Sequence, residues 1–101
     1  WIYTGNEVTR NFIPDKFTLH QNYPNPFNSI TMIKFDIPKQ SHVKLKVFDI
    51  LGREVASLIN SMFEPGSYSA DFDAAKYSSG VYFYRIEAGD FIQTGKMVLL
   101  K

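Results

Sequence analysis

Two histidines, a pair of closely spaced aspartates and two outward aromatic rings are the residues here that could do chemistry. His20 and His42 lie in polar or turn-flanking stretches. A histidine held between a serine and an aspartate works as a general base for a nucleophile. Neither histidine heads a nucleophile motif, so both read as exposed or half-exposed side chains. Asp71 and Asp73 form a D-x-D pair. Paired carboxylates suit calcium, a hard cation that takes about six to eight oxygens. Asp90 is a third candidate ligand, but nothing in the sequence brings it close. The plainer reading of the pair is the solvated face of a strand running into a turn. A glycosidase-like pair would need pocket-forming insertions, and none occurs. Phe48 and Phe83 fall on the outward faces of charged strands. Rings so placed can stack sugars or nucleobases; equally, a neighbouring loop or the N-terminal segment can cover them. No phosphate-cradling glycine loop, dinucleotide fingerprint, zinc-protease helix or EF-hand loop appears. With no Cys, a disulfide scaffold and a thiolate metal site are excluded. No cofactor and no enzymatic activity are expected.

The elements that must position these residues belong to a chain of 101 residues, 45% hydrophobic and 16% aromatic, with net charge +1. That suits one domain with one core. A balance so close to neutral gives no footprint for nucleic acid or an anionic membrane. No apolar run approaches the roughly 20 residues of a membrane span, so direct membrane insertion is not expected. The sequence begins at Trp1 without an initiator Met, which reads as an internal or C-terminal piece of a larger polypeptide. Residues 1–16, WIYTGNEVTRNFIPDK, lack sustained periodicity and read as a linker or the tail of a preceding domain.

From Phe17 onward, short runs alternate with turn residues. In Ile30–Ile37, Thr31, Ile33, Phe35 and Ile37 share one face, opposite Lys34 and Asp36. Val43, Leu45 and Val47 alternate with Lys44 and Lys46. In Val81–Ala88, Tyr82, Tyr84 and Ile86 oppose a face carrying Arg85 and Glu87. Period-two alternation marks half-buried strands. Arg53–Ser61 fits a strand through Val55, Ser57 and Ile59, or a helical turn through Val55, Leu58 and Ile59. The strand is favoured, because so short a free helix is marginal. Ser67–Asp73 alternates Tyr68, Ala70 and Phe72 with polar residues. Phe91–Lys101 closes the chain, and Gly95 inside it suggests a bulge or bend. Pro38, Gly52, Pro65-Gly66, Gly80 and Gly89-Asp90 punctuate these runs. Gly52 and Gly80 read as positive-φ positions. About seven strands at roughly 10–14-residue spacing predict an all-β sandwich.

The string QNYPNPFN at 21–28 is the most unusual in the chain. Pro24 and Pro26 push the residues before them toward extended conformations. Asn22, Asn25 and Asn28 can bond nearby backbone in Asx-type turns. The string reads as a rigid corner, with Tyr23 and Phe27 plugging the end of the sandwich.

Several strings together resemble one family. QNYPNPFN at 21–28, IKFDIP at 33–38, VKLKVFDILGREV at 43–55, PGSYSADFD at 65–73, SSGVYFYRIEAG at 78–89 and KMVLLK at 96–101 occur in that order. Phe17 to Lys101 is similar to the C-terminal sorting domain, type A, of the type IX (Por) secretion system. The resemblance implies an immunoglobulin-like β-sandwich of about seven antiparallel strands in two sheets. It implies a non-catalytic export signal on a cargo that reaches the periplasm of a Gram-negative bacterium by a separate N-terminal signal. The partners it implies are the outer-membrane translocon, a sortase that removes the domain or exchanges it for a surface anchor, and the N-terminal cargo domain. Cleavage would fall within residues 1–16, and the cargo would end up secreted or on the cell surface. The recognition element carried over is the terminal strand, Lys96, Met97, Val98, Leu99, Leu100 and Lys101, with structural turns at Pro24, Pro26, Gly52, Gly66 and Gly80. Ser29 and Ile30 stand where the family often has Pro and a small residue; Phe48 and Phe72 replace a frequent Tyr and Trp.

A terminal strand at a sheet edge would offer unpaired N–H and C=O groups for β-augmentation. Two other readings fit a sandwich: a structural or carbohydrate-binding module of an extracellular enzyme, and a module similar to the flagellar hook scaffold, which shares the V-x-V-[FY]-D…GR-x-V pattern. Fold alone does not separate them.

Overall fold

The computed structural model describes residues 13–101. Seven strands follow in order: β1 (Thr18–Leu19), β2 (Ile30–Ile37), β3 (Ser41–Phe48), β4 (Glu54–Phe63), β5 (Gly66–Asp73), β6 (Gly80–Ala88) and β7 (Phe91–Leu99). No helix occurs among the described residues, so none there is long and apolar enough to cross a membrane. The strands form two antiparallel sheets, ordered β1-β2-β5 and β4-β3-β6-β7. This is the Greek-key order of an immunoglobulin-like sandwich, with the fourth strand on the larger sheet.

The alternation predicted for β2, β3 and β6 is what fills the core. Ile33, Phe35 and Ile37 from one sheet meet Val43, Leu45, Val47 and Ile86 from the other, all with no exposure. Each side chain so buried contributes about 1.5–3 kcal/mol of transfer free energy. Pro38 follows β2 directly, and the strand stops there because proline has no N–H for the ladder. At the corner leading into β6 the Tyr82 hydroxyl donates to Ser78 C=O at 2.7 Å. This is the tyrosine corner of immunoglobulin-like folds, which ties a strand start to its preceding loop.

Two sequence expectations are corrected. β4 is a strand, but it does not bury Val55, Ser57 and Ile59 as one face. Ser57 is exposed, while Val55, Leu58 and Ile59 are half-buried. The ladder to β3 slips twice, between Leu45 and Lys46 and between Val47 and Phe48. Each extra residue in a bulge flips the following side chains to the other face, so simple alternation fails. Gly95 marks no bulge: β7 keeps unbroken register with β6 from Phe91 to Leu99. Its role is clearance. A Cβ there would fall inside the Tyr84 ring, which crosses β7 at that point.

The linker reading of residues 1–16 lies mostly outside the described residues. Of the part described, Pro14 is buried and Phe17 stacks on Phe91 with centroids 5.3 Å apart. The chain therefore enters the sandwich at the end that holds the β6–β7 turn.

Candidate functional site

β7 lies at the edge of the four-stranded sheet. Met97 and Leu99 point inward and are fully buried, whereas Lys96 and Leu100 are exposed and Val98 is half-buried. Along its C-terminal half the outer edge is already occupied. Phe27 N–H donates to Val98 C=O and Leu100 N–H to Phe27 C=O, both at 2.9 Å. Val98 N–H donates to Asn25 Oδ1 at 3.0 Å, and Gln21 Nε2 donates to Lys96 C=O at 2.9 Å. The corner string thus runs beside β7 as a short parallel partner.

A buried polar network holds that partner in place. The Tyr84 ring passes over Gly95, its hydroxyl donates to His20 C=O at 2.9 Å, and it accepts Asn22 N–H at 3.0 Å. Asn22 is 2% exposed; its Nδ2 donates to Pro24 C=O and Thr31 Oγ1, and Thr31 Oγ1 donates to Pro24 C=O. Buried polar groups this well satisfied fix one arrangement. Burial pushes the Tyr84 phenol above its ordinary 10.0, against the smaller opposing effect of the Asn22 N–H. Phe27 plugs the sandwich as expected, at 2% exposure, but Tyr23 does not: it pairs with Met32 through its backbone and is itself 78% exposed. Both X-Pro bonds of the string, Tyr23–Pro24 and Asn25–Pro26, are cis.

The N-terminal half of β7 is different. Ile92, Gln93 and Thr94 are exposed. Antiparallel strands turn alternate residues' N–H and C=O groups away from the partner. Because Val98 faces away from β6, so do Lys96, Thr94 and Ile92. The groups of Ile92 and Thr94 meet no partner among the described residues. Beside this open stretch, the outer face of the sheet carries a groove of about 260 Å³ lined by Phe48, Asp49, Ile50, Phe83, Arg85 and Thr94. The Arg85 guanidinium sits 4.6 Å from the Phe48 ring centroid, so a cation lies against Phe48. Asp49 braces the rim: Arg53 N–H and Leu51 N–H donate to its Oδ1 and Arg53 Nε to its Oδ2. The Arg53 N–H above all holds its carboxyl below the ordinary 3.8. Gly52, at φ +84°, closes this turn where a side chain would be strained.

The other chemical candidates do not assemble. His20 Nε2 meets Asp36 Oδ2 at 3.2 Å, and Ser67 Oγ donates to Asp36 Oδ1 at 3.0 Å. The acid stands in the middle, so no imidazole touches the serine and no nucleophile is activated. His42 is exposed and pairs with Asn60. Asp71 and Asp73 stand exposed on β5, where Asp73 accepts Ala75 N–H. Asp90 is at the opposite end of the sandwich, in the β6–β7 turn. Among the described residues no three His, Cys, Asp or Glu gather as a metal site.

The features the sequence reading missed are the capping of β7 by residues 21–27 and the part played by Tyr84. Gly95, opposite Tyr84 in the ladder, was the available signal: a glycine in a strand interior also marks a close approach.

What these features define is an immunoglobulin-like sandwich whose distinctive parts are a stapled corner and a β7 edge only half of which is bonded among the described residues. The family comparison agrees. The chain belongs to the secretion system C-terminal sorting domains of the type IX (Por) system, whose family model matches residues 21–100. Such a domain marks its bearer for export to the cell surface or extracellular space. Neither a curated protein nor a solved structure matches the chain.

Proposed function

We propose that residues 17–101 act as a folded export label, with residues 1–16 as the linker to an N-terminal cargo. The cargo reaches the periplasm of a Gram-negative bacterium by its own signal, and the outer-membrane type IX translocon then reads the sandwich. A sortase cuts within the linker and releases the cargo or exchanges the domain for a surface anchor. The domain itself does no chemistry, needs no cofactor and binds neither nucleic acid nor the bilayer core. The observation that carries this reading is the family match across residues 21–100. The terminal strand serves recognition through its outward residues, Lys96, Val98, Leu100 and Lys101, while Met97 and Leu99 hold it in the core. Pro24, Pro26, Gly52, Gly66 and Gly80 shape turns of the sandwich that presents it. The sugar-binding alternative loses support from the Arg85 guanidinium lying against Phe48.

The test is a fusion of the chain to a reporter with an N-terminal signal, expressed in a bacterium with a working type IX system. The reporter is expected at the cell surface or in the medium. It should stay in the periplasm when the translocon is deleted or the chain is omitted. Equal surface display without the translocon would refute the reading. Deleting Met97–Lys101 would strip Met97 and Leu99 from the core, so Lys96→Glu with Leu100→Asp is the sharper probe of recognition.

A further inference from the structure

We infer that the open half of β7 is a docking edge for an extended segment of another protein that carries acidic side chains at alternate positions. That the partner belongs to the secretion machinery rests on the proposed function; the chemistry of the edge does not.

Sheet edges invite unwanted pairing, and folded proteins blunt them. Three edges of this sandwich are blunted. β4 carries two bulges. β5 sets Asp71 and Asp73 along its edge. The C-terminal half of β7 is covered by residues 21–27. Among the described residues, the stretch from Ile92 to Lys96 has none of these protections. It is in regular register, and it presents the N–H and C=O of Ile92 and Thr94 and the N–H of Lys96. Ile92 beside them is 63% exposed.

The side chains near this edge select for sign. The outer face of the sheet carries Lys44, Lys46, Arg85 and Lys96 against Glu54 and Glu87. Lys46 pairs with Glu54 at 3.4 Å, and no salt bridge engages Lys44 or Lys96 among the described residues. Arg85 is under-satisfied: its Nε is buried 3.1 Å from Glu87 Oε2, yet makes no hydrogen bond. A strand added at Thr94 would project alternate side chains onto this face. Thr94 is the direct cross-strand neighbour of Arg85 and short, so an incoming carboxylate can pass over it toward the guanidinium. Its neighbour two positions on would lie beside Lys96. A second copy of this chain fits poorly. Two-fold pairing about Thr94 would set Lys96 against Ile92 and fuse two basic faces.

The probe is a labelled peptide of alternating Glu and Val, titrated into the 101-residue chain and followed by amide shifts in NMR. Shifts are expected to cluster at Ile92–Lys96 and Arg85, with a peptide of alternating Lys and Val giving none. Thr94→Pro removes an outward N–H without touching the ladder to β6, and is expected to weaken binding about tenfold. Arg85→Glu should do at least as much. Should Thr94→Pro fail to fold, Lys96→Glu carries the same prediction. Shifts elsewhere, equal binding of the lysine peptide, or a dimer that Thr94→Pro dissolves would overturn the inference. In the export assay, wild-type display with loss in Thr94→Pro supports it, and equal display of both overturns it while leaving the sorting role intact. Absence of wild-type display refutes the sorting role, and the NMR result then judges the edge alone.

Discussion

The two halves of β7 share one neighbour and differ in the other. On its inner side the whole strand pairs with β6 in unbroken register. On its outer side, Lys96 to Leu100 is bonded to Gln21, Asn25 and Phe27, while Ile92 and Thr94 meet no partner among the described residues. Composition alone does not account for the split, since both halves mix apolar and polar residues. What separates them is Tyr84, whose ring crosses the strand at Gly95 and fastens residues 20–22 alongside. Capping is a local consequence of one aromatic reach, and it ends where that reach ends. A sheet edge can therefore be closed at one end and left without a partner among the described residues a few positions away.

The comparison can be broken most directly at Phe27. Phe27→Ala empties the plug between the sheets and should cost about 3–5 kcal/mol in denaturant unfolding. Protection of the Leu100 amide should fall in hydrogen exchange, while the Ile92 amide, expected to exchange fast in both proteins, stays unchanged. If Leu100 keeps its protection, the cap does not depend on the plug. Gly95→Ala comes next, at about 1–3 kcal/mol, because its Cβ displaces the Tyr84 ring. A neutral result in thermal unfolding would mean the ring has room to move.

Tyr84→Phe keeps the ring and removes the hydroxyl, stranding Asn22 N–H and His20 C=O at about 1–3 kcal/mol. The same residue makes the cap sensitive to alkali. The phenol's folded pKa lies above its ordinary 10.0. Its contribution is therefore present in full below that pH and is lost as pH rises through the folded value. The gap in stability between wild type and Tyr84→Phe should narrow above pH 10.0, measured by urea unfolding; a constant gap would contradict this. A smaller loss, about 0.5–1.5 kcal/mol, is expected for Asn25→Ala, which frees the exposed Val98 N–H. Its signature is faster exchange at Val98 alone. The open half supplies the smallest effect: Ile92→Thr should change stability by no more than about 0.5 kcal/mol. A larger loss would show that Ile92 is covered in solution.

How legible each region was depended on how local its physics is. β2, β3 and β6 were readable from alternation, because in each of them one face packs on the core and the other meets water without interruption. The β3–β4 turn was readable from Gly52. β4 was read correctly as a strand, but its buried face was not, because its two bulges exist only in relation to β3. Phe27 was recognised as a plug, and Tyr23 was wrongly placed beside it: strict alternation would put residues four apart on one side, but the chain turns between them, so Tyr23 bridges to Met32 on β2 and Phe27 to Leu99 on β7. Gly95 was noticed for the wrong reason. Nothing adjacent in sequence says that an aromatic ring on the neighbouring strand will pass over it.

From its residues alone this protein was determined to be an all-β sandwich with a proline-rich corner and a terminal strand, because alternation and turn chemistry act over a few neighbouring residues. Which part of that strand is closed and which is open was decided only in three dimensions. The corner lies some seventy residues from the edge it covers, and such contacts exist only once the two sheets have closed on a common core.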